Sequence, residues 1–300
     1  MIPEIELMER AHAGDAEAQC DLGKYYFEQA DNPERAIFWF SAAAQQGLPR
    51  ANHNLGVMAV RIDKLEMAKA YFRAAAAAGW ANSEQALGAI LREEGSIEPA
   101  ALLFKSAARH GNAQAIADLA GIEMDRGTDE GHRNALMLAR NAAAKGVASA
   151  SRILFLIYNE GLGVPQDQIA AAGFAKTGAD LGDPSSQAIH GVILYMGKFA
   201  SRDFEEAAFM LSMAAQQDAF VAKAYIPRAL DALSARQLAT LNERLLNAGY
   251  SRMAPPTGSR FWRAWVKRPL SRMKFHFMMR TGQDAKLSKN LDDARRGWRP

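Results

Sequence analysis

Small and large apolar positions recur along the chain in a fixed order. The pattern Ala-Ala-x-x-Gly occurs as "AAQQG" (43–47), "AAAAG" (75–79), "AARHG" (107–111) and "AAAKG" (142–146). Weaker forms are "GADLG" (178–182) and "AAQQD" (214–218). With Gly14 as a first member, the anchors stand at 14, 47, 79, 111, 146, 182 and 218, so successive spacings run from 32 to 36 residues. Four residues after each anchor stand Ala18, Ala51, Ser83, Ala115, Ala150, Ser186 and Ala222. Eight after stand Leu22, Leu55, Leu87, Leu119, Leu154, His190 and Ile226. Eleven before anchors two to seven, alanine is invariant: Ala36, Ala68, Ala100, Ala135, Ala171 and Ala207. Seven before them come Phe40, Phe72, Phe104, Ala139, Ala175 and Leu211.

These columns predict a helix pair per period. Positions four and eight after an anchor share one face of a helix, and positions eleven, seven and four before the next anchor share one face of a second. Small residues let the helix axes approach, and Leu or Phe fills the remaining space. Each anchor glycine falls just past a helix end, where a positive φ is commonly required. Pro33, Pro99 and Pro184 suit first helical turns. A period of this length whose unit cannot bury its face alone means stacking. The expected fold is all-α: a right-handed superhelical solenoid of antiparallel helix pairs with a basic C-terminal extension. Residues 1–14 read as an N-terminal half-repeat helix, 15–232 as the solenoid, 233–250 as a capping helix starting at Ser234, and 251–300 as a tail.

One stretch imitates a different fold. "NEGLGVPQD" (159–167) follows the apolar run "ILFLIY" (153–158), as a nucleotide loop follows a strand. The dinucleotide fingerprint needs a third glycine at 166, where Gln166 stands, and no Gly-Lys-Ser/Thr follows. The apolar run aligns with the helical columns. The stretch therefore reads as a turn between helices, with Gly161 and Gly163 supplying backbone freedom and Asp167 starting the next helix.

In register, the columns resemble the Sel-1-like repeat, a relative of the tetratricopeptide repeat. The frame 146–182 carries the resemblance at Ala150, Leu154, Tyr158, Gly161, Gly163, Val164, Asp167, Ala171, Phe174 and Gly182. The next frame keeps Gly191, Gly197, Asp203, Ala207 and Ala214, and earlier frames carry "DLG" (21–23), "NLG" (54–56) and "ALG" (86–88). Those earlier frames are shorter and lose the Gly-x-Gly-Val loop. The resemblance spans about residues 1–230. It implies an α-solenoid adaptor of the kind found in bacterial signalling, envelope regulation or host interaction, and it brings no catalytic residues.

Composition adds a charge asymmetry. Residues 251–300 hold 13 Lys and Arg against 3 Asp and Glu, so the remainder of a chain of net charge +3 is acidic. The single cysteine, Cys20, rules out an internal disulfide framework. The N-terminus lacks an apolar signal core, and no apolar run approaches the roughly 20 residues that span a bilayer. A cytoplasmic location is expected, with a peripheral place at the inner membrane surface as the variant.

Candidate chemistry is sparse. Cys20 has no base arguable from sequence. The six histidines (His12, His53, His110, His132, His190 and His276) show no metal-ligand spacing. No cofactor, metal or small-molecule substrate is inferred, and the reading is non-enzymatic. Positions five and six after the anchors are polar and varied: Gln19, Asn52, His53, Glu84, Gln85, Arg152, Gln187 and Lys223. They fit a groove for a partner protein, and equally a solvated face. After "MAPPTGS" (253–259), residues 260–280 interleave seven Lys or Arg with aromatics. Trp262, Arg263, Trp265, Lys267, Arg268, Lys274, Phe275 and Phe277 fit docking on protein, including the acidic repeats, or insertion at an anionic membrane surface. Nucleic acid is the least favoured of the three. The expected function is a protein–protein scaffold, with a peripheral membrane adaptor as the alternative.

Overall fold

The computed structural model describes residues 4–253, all of its regular elements being helices. They are α1 (Glu4–His12), α2 (Ala16–Glu28), α3 (Pro33–Gln45), α4 (Pro49–Arg61), α5 (Leu65–Ala77), α6 (Ala81–Glu93), α7 (Ile97–Arg109) and α8 (Ala113–Asp125). There follow α9 (Asp129–Ala144), α10 (Ala148–Glu160), α11 (Gln168–Asp180), α12 (Pro184–Met196), α13 (Phe204–Gln216), α14 (Phe220–Asp231) and α15 (Ala235–Asn247). The chain divides into two compact units between Arg126 and Gly127. The first contains α1 to α8 and the second α9 to α15, and consecutive helices pack as pairs within each.

The columns become the cores. The alanines eleven before the anchors are at most 1% exposed, as are the Ala and Ser residues four after. Leu22, Leu55, Leu87, Leu119 and Leu154 are buried, and His190 takes that column's place in the sixth period. All six anchor glycines have positive φ, from 76° to 95°, and the seventh anchor, Asp218, adopts the same region at 63°. Pro33 and Pro184 open α3 and α12, and Pro99 sits in the first turn of α7. Ser234 caps α15 with a reciprocal capping box to Gln237.

A second pair of columns interlocks by size. A methyl group added at Gly23, Gly56 or Gly88 would lie 2.7, 2.5 or 2.7 Å from the ring of Phe40, Phe72 or Phe104. Those glycines lie mid-helix, where glycine costs about 1 kcal/mol relative to alanine. The cost is offset by seating a buried aromatic ring against bare backbone. Where the large residue is lost the glycine is lost too: in the α10–α11 pair, Ala175 stands in the large residue's column and Phe155 in the glycine's. Gly191 keeps the arrangement against Leu211 at 2.8 Å.

The stretch 159–167 joins α10 to α11 as a turn. Gly161 ends α10 at φ 72°, and Gly163 has φ 69°. The Asp167 side chain caps α11 by accepting from the amides of Ile169 and Ala170 at 3.1 and 2.9 Å. A phosphate at that helix end would need the same amides, so the carboxylate already fills the anion position.

Candidate functional site

The eight groove candidates separate by their rotation about the helix axis. Position five turns toward the second helix of its own pair. Gln46 Nε2 donates to Gln19 Oε1 at 2.8 Å, and Gln19 Nε2 donates to the Ala11 carbonyl at 3.2 Å. Glu84 accepts from Ser106 Oγ at 2.7 Å, and its other oxygen lies 2.9 Å from His110 Nδ1. Gln217 Nε2 donates to Gln187 Oε1 at 3.2 Å. Gln19, Glu84 and Gln187 are only 7%, 5% and 4% exposed, so each is taken up by its own repeat. Their partners, Gln46, His110 and Gln217, all immediately precede an anchor. Where Ala78 fills that place, half-buried Asn52 has no such bond.

Position six turns toward the next first helix. His53 Nδ1 lies 2.9 Å from Ser83 Oγ, and Gln85 Nε2 donates to Asp118 Oδ2 at 2.6 Å. In the second unit, Arg152 Nε stands 4.0 Å from Asp183 Oδ2. Lys223, a position-five residue, pairs with the exposed Asp218 carboxylate at 2.7 Å. The tail candidates from Trp262 to Phe277 lie outside the described residues.

One cleft, of about 320 Å³, crosses three successive first helices of the first unit. Helix α2 contributes Cys20, Lys24, Phe27 and Glu28; α4 contributes Arg50, His53, Asn54 and Val57. Trp80 and Asn82, at the start of α6, close one side, and Phe40 reaches the floor. Of the eight candidates only His53 lines it. The cleft residues of these helices lie three, six, seven, ten, thirteen and fourteen after an anchor, a stripe of one helical face. Positions three, seven and ten carry the signal that would have found it, because position five is rotated about 100° away from position six.

The polar rim is held by cross-repeat pairs. Arg50 bonds both Glu17 and Asp21 of α2, the latter at 2.8 Å. Asn54 Nδ2 donates to Cys20 Sγ at 3.5 Å. Burial pushes the Cys20 thiol up to about 11, and its hydrogen-bond donor is an amide rather than a histidine. Such a thiol is protonated at neutral pH and is a poor nucleophile. Burial also holds His53 below the ordinary histidine range. Among the described residues no group of three or more His, Cys, Asp or Glu is placed to hold a metal ion.

A second, more open depression of about 690 Å³ lies in the second unit beside the 159–167 turn. Tyr158, Val164 and Ile169 line it with Phe199 from the equivalent turn after α12. Phe199 occupies the place of Gly163 and keeps a left-handed φ of 66°, a conformation that costs a bulky residue about 1–2 kcal/mol.

The Sel1 repeat family model matches residues 16–48, 148–183 and 184–218. The intervening helix pairs of the first unit have the same columns but short turns, and the model does not match them. No curated protein matches the chain. Among solved structures, a protective antigen present in uropathogenic Escherichia coli strains, displaying an SLR fold, is 25% identical with a TM-score of 0.65. The match covers 85% of this chain and 60% of the antigen's, so the chain spans less than two thirds of that relative. A Sel1 repeat protein from Oxalobacter formigenes is 20% identical with a TM-score of 0.60, over 76% of this chain and 99% of its own. That likeness shows the fold alone. By its columns, its helix pairs and these matches, the chain carries three Sel1 repeats, and its regular elements among the described residues are all helices.

Proposed function

We propose that the protein is a non-enzymatic scaffold that binds a partner protein, and that the first-unit cleft is its principal contact. The observation that carries this is the continuity of the cleft over α2, α4 and α6. Stacked repeats expose an extended surface that one segment of a partner can follow. Its apolar floor, from Phe27, Phe40 and Val57, supplies anchoring area, and the Arg50, Asn54 and Asn82 rim supplies hydrogen bonds. The protonated Cys20 and the rim's mutual pairing favour recognition over chemistry.

Affinity capture by the full chain tests the reading. Val57→Glu puts a charge on the half-buried cleft wall, and a partner captured by the native chain should be lost. Capture of the same proteins by both would remove the cleft from the interaction. The peripheral membrane alternative rests on residues 260–280, outside the described residues. No described helix is long and apolar enough to cross a membrane. Co-sedimentation with anionic vesicles at low salt tests that alternative, and a chain that stays in the supernatant defeats it.

A further inference from the structure

We propose that the first-unit cleft grips an extended, uncharged segment of its partner through that segment's main chain. The inference rests on the scaffold function proposed above and names the chemistry of what is bound. The charged side chains in the cleft lining are Lys24, Glu28 and Arg50. Lys24 lies 3.9 Å from Glu28, and Arg50 bonds Glu17 and Asp21 from α2. All three are already paired, so a charged ligand could gain a partner only by displacing one of these contacts. Burial holds His53 below the ordinary histidine range, so it adds no cation near neutral pH.

Two asparagines of the lining supply neutral hydrogen bonding, and their neighbours fix how each is turned. Asn112 caps α8 with its side-chain oxygen, which accepts from the Ala115 amide at 2.9 Å. Its Nδ2 is therefore the group that faces Asn82, and the Asn82 atom it meets at 3.0 Å is the oxygen. That leaves Asn82 Nδ2, on an exposed residue in the first turn of α6, to donate. Asn54 is held the other way round: its Nδ2 donates to Cys20 Sγ at 3.5 Å, which leaves Oδ1 to accept. A peptide group carries one N–H and one C=O. A main chain lying across α4 and the start of α6 can therefore donate to Asn54 and accept from Asn82. Phe27, Val57 and Trp80, all half-buried, give its apolar side chains contact area. Binding of this kind brings no opposite charges together, so salt should have little effect on it.

Selection from a displayed library of random dodecapeptides tests this, with the native full chain as bait and the Val57→Glu chain to remove peptides bound elsewhere. Retained peptides should carry large apolar residues and few charged ones. For a retained peptide made synthetically, Kd should change less than about twofold up to 1 M salt, where exposed charges are screened within about 3 Å. Asn82→Asp keeps the oxygen that Asn112 needs and removes the donor. It should weaken binding about tenfold, on the scale of one hydrogen bond, with thermal unfolding unchanged. Replacing single amides of the peptide by esters deletes one N–H at a time, and at least one position should lose affinity severalfold. Peptides sharing one sign of charge, a steep salt dependence, full binding by Asn82→Asp or esters without effect would overturn this inference. If Val57→Glu still loses those peptides, the scaffold reading stands without it. Equal retention by the native and Val57→Glu chains would remove both.

Discussion

At Gly56 a methyl group would fall 2.5 Å from the Phe72 ring, which is 2% exposed and has nowhere to move. Alanine would gain about 1 kcal/mol of helix propensity. The clash should outweigh it, giving a net loss on the order of 2 kcal/mol in urea unfolding. Adding Phe72→Leu should recover part of that loss; a Gly56→Ala chain as stable as the native one would refute the size-interlock account. Cys20 gives a second expectation at this scale. With its pKa pushed up to about 11 by burial, it should react with a thiol reagent at pH 8 far more slowly in the native chain than in denaturant. Equal rates would show that the thiol is neither buried nor protonated as described. His190 gives the third. It is 6% exposed, its Nδ1 has no hydrogen-bond partner, and burial lowers its pKa, with Asp180 and Glu206 opposing and Lys176 adding. The folded state thus binds fewer protons than the unfolded chain. His190's contribution is full above the ordinary histidine pKa of about 6.5 and is lost as pH falls below it. His190→Leu should flatten that part of the pH–stability curve; an unchanged slope would assign it to other groups, with His53 the first to examine.

At the scale of elements, helix ends and core columns were legible in the sequence because each has a local cause. Proline opens α3 and α12, glycine closes most pairs, and the 3.6-residue period aligns the buried alanines. Asp167 is such a local device, and Asp167→Ala should cost about 0.5–2 kcal/mol through the lost cap of α11. No change in thermal unfolding would argue that the turn's backbone alone sets that helix end. The Gly–Phe interlock was not legible, since its partners lie 16 or 17 residues apart and meet only after pairing. The cleft face was half legible. Polar variation marked the first helices, but Gln19, Glu84 and Gln187 look like surface residues until their partners before the next anchor are in place. One residue of rotation separates an internal lock from the cleft, and sequence variation cannot resolve that angle. His53 fell on the cleft side; Arg50, Asn54 and Val57 were missed.

For the whole molecule, the sequence shows the charge division plainly and leaves its use open. The first repeat is acidic, and the cleft that crosses it has Phe27, Phe40 and Val57 in its lining. The Sel1 repeats supply a frame that exposes side chains along successive helices. The central claim is that the first-unit cleft, through its floor, holds another protein. Quantitative affinity capture from cells that produce the protein, comparing the native full chain with the Val57→Glu chain of matched circular dichroism, tests this most directly. At least one protein should be enriched by the native chain and lost with the variant. An identical set of captured proteins from both would contradict it.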